Sequence, residues 1–220
     1  MAKSALVLGP SGIGEAHIRV LADYWVKNIY LKGNKFKPNR INIMGLKKNI
    51  NVNFYNLKNL KGLKKKIQIS CICTPIEKHL SHILLLKKFC NRIIVEKPFI
   101  WRNNSKNNYE VAKKVLEEKS KKKIFINLPM VSLASQLKKI EKLKKINNLK
   151  FNYFTAGKQK FNNIAVDLLP HAISFFFTFN KDYKRISVFK ILKKKDSWRC
   201  KIKIDDCKCN FKFIQNKKRR

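Results

Sequence analysis

Three features of this 220-residue sequence predict an α/β fold with two domains. In the first half, short apolar runs alternate with stretches of helical periodicity, which is the pattern of a parallel sheet covered on both faces. A glycine-rich turn at residues 9–14 separates the first apolar run from the first helix. Near the end of the chain, three strand-like runs follow one another, which indicates a mostly antiparallel sheet. We therefore expect one domain at residues 1–126 and a smaller α+β domain at 127–220.

The elements of the first domain are predicted from apolar runs of strand length and from apolar residues at helical spacing. Breaks such as Gly9, Gly45 and Pro75 bound several of them, and the polar segment 32–40 is expected to be a surface loop. In chain order the sequence predicts a strand at 5–8, a helix through Val20 and Trp25, strands at 41–44, 51–55 and 67–73, a helix at 79–89, a strand at 92–95, a helix at 109–119 and a strand at 123–126.

The second domain is predicted from a change of pattern after about residue 127. Two helical stretches enclose one strand, and three strands then follow in succession. In chain order the sequence predicts a helix at 132–144, a strand at 150–155, a helix at 165–179 and strands at 186–191, 198–204 and 208–214.

The net charge of +38 is extreme, and it allows two interpretations. A basic surface can bind nucleic acid or an anionic membrane. However, the excess is mostly lysine and is spread along the chain, whereas a nucleic-acid reader more often clusters arginine and aromatic residues on one element. We therefore interpret the charge as compositional drift, with no membrane partner expected and nucleic acid unfavoured. The charge does not identify a substrate, and the small-molecule substrate that we expect is indicated by the motifs below.

The cysteine pattern and the chain's beginning predict an ordinary reduced, cytoplasmic protein. The six cysteines have no C-x-x-C spacing, so no metal site is expected. Cys71 and Cys73 alternate within an apolar run, as Cys207 and Cys209 do, which is typical of small buried side chains in a reducing compartment. No signal peptide is recognisable, and no apolar run approaches the ~20 residues that cross a bilayer.

The glycine turn predicts a dinucleotide-binding site of the Rossmann type. Gly9 permits a tight turn after the first strand, Gly12 opens the helix, and Gly14 lets that helix pack closely on the sheet. The amides at the helix N-terminus are then free to bind a diphosphate. Ser11 replaces the middle glycine of the G-x-G-x-x-G pattern, and its side chain either crowds the phosphates or donates a hydrogen bond to them.

The cofactor preference is predicted from the end of the second strand, where an acidic residue usually binds the ribose. With a strand at 41–44, the equivalent position is Gly45, 36 residues after Gly9 rather than the ~20 expected. Lys47 and Lys48 follow, and no carboxylate is present. This arrangement favours NADP over NAD, because a lysine can bind a 2′-phosphate.

Three ordered motifs resemble those of the Gfo/Idh/MocA oxidoreductases. The first is the glycine turn with His17 three residues after its last glycine. The second is the pair formed by Cys73-Thr74-Pro75, followed by His79, and Ile94-Val95-Glu96-Lys97-Pro98. The third is Asp167 and His171 in Val166-Asp167-Leu168-Leu169-Pro170-His171. Together these matches cover roughly residues 4–180.

The resemblance implies an NAD(P)-dependent oxidoreductase that acts on a sugar- or cyclitol-like substrate. Lys97 would be the general acid or base, and Asp167 and His171, one helical turn apart, would complete the catalytic site. It also implies a second domain whose open sheet forms part of the substrate site or a homo-oligomer interface. The expected cofactor contacts are Gly9, Ser11, Gly12, Ile13, Gly14, Lys47, Thr74, Pro75, His79 and Glu96.

Two other functions stay open at this point. Family members usually continue beyond the length of this chain, so we expect a shortened second domain that is minimal, completed by a partner subunit, or eroded. A Rossmann-fold binding or scaffold protein without catalysis is therefore the main alternative. A basic nucleic-acid-binding protein is the third and least favoured hypothesis.

Overall fold

The computed structural model describes residues 3–24, 26–33, 52–60, 67–101, 107–117, 123–157 and 159–216. The chain divides into two compact units, Met1–Asn127 (unit 1) and Leu128–Arg220 (unit 2). Unit 1 carries a parallel six-stranded sheet and unit 2 a mostly antiparallel four-stranded sheet. Both sheets confirm the fold class that the sequence predicts. Among the described residues, no helix combines the length and apolar character that a membrane span requires.

Unit 1 is a doubly wound sheet with strand order β3-β2-β1-β4-β5-β6. All neighbouring strands run parallel, so their carboxyl ends lie along one edge, which we call the carboxyl edge of unit 1. The strands are β1 Ser4–Leu8, β2 Asn28–Lys32, β3 Asn53–Asn56, β4 Ile67–Ile72, β5 Cys90–Glu96 and β6 Lys123–Asn127. The helices are α1 Ile13–Asp23, α2 His79–Leu86, preceded by a 3₁₀ turn at Ile76–Lys78, and α3 Asn108–Glu117.

Both faces of this sheet are covered, which explains why β1 is buried along its whole length and apolar from Ala5 to Leu8. Ala5 and Val7 belong to the core cluster that contains Ile18 of α1. Leu6 belongs to the cluster on the other face, which contains Ile83 of α2. The alternation of side chains along one strand thus joins two cores.

The predicted position of the second strand was wrong. The strand that pairs with β1 is β2, Asn28–Lys32, not residues 41–44. Residues 41–44, together with Gly45 and Lys47, lie outside the described residues. Helix α1 ends at Asp23, earlier than predicted, and a short connection leads directly into β2. Gly33, 24 residues after Gly9, therefore follows the strand at the spacing usual for this fold.

Unit 2 has strand order β7-β10-β9-β8, in which β7 and β10 are parallel and the other pairs are antiparallel. Its core lies between the sheet and α5, where Leu168 and Phe176 of the helix pack with Phe211, Phe213 and Trp198 of the strands. The elements are α4 Pro129–Ile140, β7 Asn148–Thr155, α5 Asn162–Phe179, β8 Ile186–Lys194, β9 Ser197–Ile204 and β10 Cys207–Gln215.

All six cysteines have free thiols, and five of them are buried. Cys71 and Cys90 lie in the core of unit 1, and Cys200, Cys207 and Cys209 lie in the core of unit 2. Burial raises the pKa of the Cys209 thiol to about 12, with Cys207 adding to the effect. These cysteines therefore behave as apolar core residues.

Candidate functional site

The turn after β1 needs glycine at two positions because backbone atoms approach it closely. A Cβ on Gly9 would lie 2.6 Å from the carbonyl oxygen of Cys73, in the loop after β4. A Cβ on Gly14 would collide with the carbonyl oxygen of Gly9. Gly9 also has a φ of +77°, which disfavours any other residue. These two glycines bring α1 against the carboxyl edge of unit 1.

Gly12 serves a different purpose, because a Cβ at that position would meet no atom of the described residues within 4 Å. It is the N-cap of α1 and has a φ of +61°. The amides of Gly14 and Glu15 donate to the carbonyl oxygens of Ser11 and Gly12. Ser11, Gly12 and Ile13 are exposed, so open space lies beside the first turn of the helix, where backbone N–H groups favour an anion.

A buried histidine joins two loops of the carboxyl edge. The side chain of His79 is 2% exposed, and its Nε2 lies 2.8 Å from the carbonyl oxygen of Thr74. Its Nδ1 lies 3.1 Å from the carbonyl oxygens of Pro98 and Phe99. The ring thus lies between the loop after β4 and the loop after β5, and a ring nitrogen that carries a proton donates it to the carbonyl oxygens on its own side. His79 begins α2 as expected, and this bridging contact is an addition that the sequence did not indicate.

Thr74 and Pro75 lie directly after β4, at the same edge. The Thr74 hydroxyl lies 3.0 Å from Nδ1 of His82, and Pro75 caps the 3₁₀ turn. Burial, together with the neighbouring Lys78 and His79, lowers the pKa of His82. A neutral His82 ring therefore suits the hydrogen bond with the threonine hydroxyl.

Glu96, the last residue of β5, links three elements of unit 1. It is 7% exposed, and its Oε1 accepts hydrogen bonds from Nε2 of His17 at 2.7 Å and from Nδ2 of Asn127 at 2.5 Å. His17 belongs to α1 and Asn127 is the last residue of β6. Burial raises the pKa of Glu96, but the hydrogen bonds from His17, Asn127 and the Lys97 amide outweigh it and hold the pKa below its usual range.

Lys97 follows Glu96 directly and is half-buried. The Lys97–Pro98 peptide bond is cis. The two residues that flank Lys97 are held in place. The Glu96 carboxylate bonds to His17, and the Pro98 carbonyl oxygen contacts the His79 ring. The lysine therefore extends from a backbone segment that is fixed at both ends.

The carboxyl end of β2 carries Lys32 and Gly33 where the acidic residue of this fold usually stands. The Gly9 amide donates to the Lys32 carbonyl oxygen at 3.0 Å, so the strand end lies beside the glycine turn. Nζ of Lys32 donates to the carbonyl oxygen of Lys58 at 2.5 Å. The lysine predicted for this role, Lys47, lies outside the described residues. Placing the second strand at 28–32 would have identified Lys32 instead.

Asp167 and His171 lie one turn apart on α5, in unit 2. Asp167 accepts a hydrogen bond from Nε2 of Gln215 at 2.8 Å. Oε1 of Gln215, at the end of β10, in turn accepts a hydrogen bond from the backbone N–H of Gln159 at 2.7 Å. His171 is 5% exposed, and its ring stacks on Tyr153 of β7 at 5.2 Å between centroids. Both predicted residues therefore lie towards the sheet of unit 2.

The predicted site residues thus form two groups, each within its own unit. Unit 1 collects the glycine turn, Thr74, Pro75, His79, Glu96 and Lys97 at its carboxyl edge, and unit 2 places Asp167 and His171 on one helix face. Sequence reasoning did not find the roles of His17 and Asn127, because their contacts with Glu96 join residues that are distant in the chain.

Solved structures share this fold at low sequence identity. UDP-N-acetylglucosamine 3-dehydrogenase GnnA from Acidithiobacillus ferrooxidans matches with a TM-score of 0.73 and 11% identity over 98% of this chain and 68% of its own. The myo-inositol 2-dehydrogenase from Lactobacillus plantarum matches at 0.70 and 14%, over 98% and 71%. The WlbA dehydrogenase from Thermus thermophilus, in complex with NAD and α-ketoglutarate, matches at 0.72 and 10%, over 97% and 74%.

The chain has the fold of Gfo/Idh/MocA-type oxidoreductases. This likeness confirms the fold that the sequence motifs imply. The chain spans about two thirds of the length of the structures it matches. No family model and no curated protein matches the sequence.

The contacts of Glu96 give a testable stability prediction. We expect Glu96→Gln to lower the free energy of unfolding by about 1–3 kcal/mol at neutral pH, because a buried ionised acceptor of several hydrogen bonds is lost. A depressed pKa stabilises the fold above the ordinary glutamate pKa of about 4.3, and that contribution is lost as the pH falls through the lower folded value. Urea unfolding across this pH range would measure the difference.

The matched control is Glu110→Gln on the exposed face of α3. It removes the same charge without a buried partner, so we expect less than about 0.5 kcal/mol. An equal loss in both variants, or a Glu96→Gln effect that grows on acidification, would contradict the assignment.

Proposed function

We propose that this chain is an NAD(P)-dependent oxidoreductase that interconverts a hydroxyl and a carbonyl group on a small polar, sugar- or cyclitol-like substrate. The observation that carries the proposal is the carboxyl edge of unit 1. There a glycine turn with an open helix N-terminus lies beside the loop after β4, and His79 connects that loop to Lys97's loop. Ligands of doubly wound sheets bind at this edge.

The residues of the turn fit a dinucleotide diphosphate. The space beside Gly12, which no described residue fills, accommodates a group where a side chain would otherwise stand. Ser11, Gly12 and Ile13 are exposed at the N-terminus of α1, the positive end of the helix dipole, which suits an anion. Gly9, Ser11, Gly12, Ile13 and Gly14 would hold the diphosphate. When bound, the nicotinamide supplies the hydride acceptor or donor.

Lys97 is the proposed general acid or base. Oxidation of a hydroxyl group requires its proton to leave, and the reverse reaction requires one to arrive. A lysine ammonium can donate that proton and the free amine can accept it. Glu96 and His79 are positioning residues in this scheme, since they fix the backbone on either side of Lys97.

Asp167 and His171 are proposed to complete the substrate site, on the basis of their spacing on α5 and the motif they resemble. The hydrogen bond from Gln215 fixes the orientation of the Asp167 carboxylate. The burial of His171 against Tyr153 favours a second candidate, a dinucleotide-binding protein without turnover in which His171 is a core residue. Turnover measurements on the Lys97 variant separate the two.

We further propose that NADP is preferred over NAD, with Lys32 in the role first expected of Lys47. Lys32 and Gly33 lie at the end of β2. A lysine beside the adenosine ribose attracts the negative charge of a 2′-phosphate, whereas a carboxylate at that position would repel it. The contact between Lys32 and the Lys58 carbonyl oxygen keeps its ammonium group at this end of the sheet.

Two glycine variants test the cofactor site. We expect Gly12→Ala to weaken NADPH binding about tenfold or more, because its Cβ enters the space assigned to the diphosphate and the φ of +61° at this position strains any residue other than glycine. Gly14→Ala should instead destabilise the fold by about 1–3 kcal/mol, because the Gly9 carbonyl must move. Nicotinamide fluorescence titration and thermal unfolding measure both effects. Unchanged NADPH affinity in a folded Gly12→Ala variant would contradict the assignment.

Lys97→Ala tests catalysis. We expect turnover to fall about 10²–10⁴-fold with NADPH affinity retained, because a proton donor is lost and the glycine turn is untouched. Turnover is followed by nicotinamide absorbance with a panel of cyclitols and nucleotide sugars. Lys3→Ala, at the opposite edge of the same sheet, is the matched control and should keep full activity. Cofactor binding without turnover in the unmodified chain would favour the non-catalytic alternative.

Lys32→Ala tests the cofactor preference. We expect the dissociation constant for NADPH to rise about 10- to 100-fold and that for NADH to change less than about threefold, because only NADPH has a phosphate for the lysine to bind. Lys27→Ala, at the amino end of the same strand region, removes an equal charge and should affect neither. Equal effects of Lys32→Ala on both cofactors would contradict the role of Lys32.

A further inference from the structure

The sheet of unit 2 has one face covered by α5 and one open face. Buried and exposed side chains alternate along β9 and β10 and along most of β7, whereas β8 is exposed along nearly its whole length. In β10, the residues Cys209, Phe211 and Phe213 are buried, whereas Lys208 and Asn210 are exposed. We call the surface opposite α5 the outer face of unit 2.

The outer face is strongly and uniformly basic. The four strands contain no aspartate or glutamate. The strand register places eight cations on this face, and six of them are exposed. The eight are Lys150, Lys190, Lys194, Arg199, Lys201, Lys203, Lys208 and Lys212. Lysines that are dispersed along the sequence are therefore gathered by the fold into one surface.

Three pairs of these cations stand directly opposite each other on neighbouring strands. The pairs are Lys208 with Lys203, Lys212 with Arg199, and Lys201 with Lys190. Like charges at such positions destabilise a sheet, because their side chains are adjacent. The acidic residues near this sheet lie in turns, where Asp206 pairs with Lys203 at 3.8 Å and Asp196 pairs with Lys160. The centre of the face is left to be neutralised by an anionic ligand.

The outer face is also concave between its cations. It contains a groove of about 420 Å³, whose lining includes Lys150, Lys190, Arg199, Lys201 and Lys212. Asn152 and Asn210 lie among these cations and add neutral donors and acceptors. Cations on adjacent strands are about 4.8 Å apart, and successive outward residues on one strand are about 6.7 Å apart. These repeats resemble the spacing of phosphates along a nucleic-acid strand.

An aromatic side chain completes the face. Phe154, at the end of β7, is 48% exposed, and Nζ of Lys212 lies 5.6 Å from its ring centroid. Exposed aromatic rings beside a basic groove are the platforms on which unpaired bases stack. We propose that the outer face of unit 2 binds single-stranded nucleic acid, with the lysines contacting phosphates and Phe154 stacking on a base.

Other occupants fit this face less well. A second copy of the chain, docked symmetrically through the same face, would set eight cations against eight. An anionic bilayer presents a flat surface of charge and leaves the groove and the asparagines without a role. A single small anion would engage only one of the cation pairs. The extended, polyanionic strand matches the area, the charge and the mixed chemistry of the groove.

The test uses the full chain and a fluorescein-labelled oligouridylate of about twelve nucleotides, a length within the range that one sheet module covers. Binding is measured by fluorescence anisotropy over a range of salt concentrations. The first variant carries Lys150→Gln, Lys201→Gln and Lys212→Gln on the outer face. The matched control carries Lys113→Gln, Lys114→Gln and Lys139→Gln, which are exposed helix lysines of α3 and α4.

We expect the outer-face variant to bind about tenfold more weakly or worse, and to reduce the slope of log affinity against log salt by about 2. The control should bind within about twofold of the unmodified chain. The outer-face variant should also unfold at an equal or higher temperature, since three like charges are removed. Both variants should retain NADPH binding, so a failure here is distinguishable from a failure of the proposed oxidoreductase function.

Three results would overturn the proposal. Equal weakening by both triple variants would mean that the net charge alone attracts the oligonucleotide. Binding to phosphatidylserine vesicles but not to the oligonucleotide would assign the face to a membrane. A loss of oligomer in the outer-face variant, seen by light scattering without any oligonucleotide binding, would assign the face to self-association.

Discussion

The close packing of the turn after β1 is the constraint on which the rest of unit 1 depends. The backbone at Gly9 passes against the carbonyl group of Cys73, and Gly14 passes against Gly9 itself. Any side chain at either position would separate α1 from the sheet. Because the turn is so compact, the helix N-terminus, the loop after β4 and the loop after β5 come to one edge, and a site can be built there.

Polar contacts at that edge serve to fix backbone more than to present functional groups. The Glu96 carboxylate accepts hydrogen bonds from His17 and Asn127, and the ring nitrogens of His79 lie within hydrogen-bond distance of three carbonyl oxygens. Both side chains are nearly buried and so reach little solvent. They leave Lys97 as the ionisable group of this motif that stands on a fixed backbone and is partly exposed. The contacts of Glu96 and His79 therefore fix the position of the Lys97 backbone.

Local pattern predicted most of the fold, and the exception has a physical reason. Strands such as β9 and β10 alternate apolar and polar residues so regularly that their bounds follow from the sequence. Strand β2 was missed because no glycine or proline separates it from α1, whereas residues 41–44 carry the same β-branched signature and precede a glycine. With the strand placed at 41–44, the sequence points to Lys47 for the cofactor preference, whereas the end of β2 carries Lys32, to which we assign that role in our proposal. The contacts of Glu96 could not be predicted, since they join three elements through tertiary packing alone.

The lysines of unit 2 are dispersed along the sequence, but the fold brings many of them to one surface. The cations of β9 are spaced by two residues and the two lysines of β10 by four, so they look dispersed in the sequence, which favours an interpretation as compositional drift. Because side chains alternate along a strand, all of these cations lie on the outer face of the sheet. The strand register places them next to the lysines of the neighbouring strands. Drift accounts for how many lysines there are. The fold decides where those lysines stand. On α3, Glu110 and Glu117 lie among the lysines, whereas the strands of unit 2 place no carboxylate among the cations of the outer face.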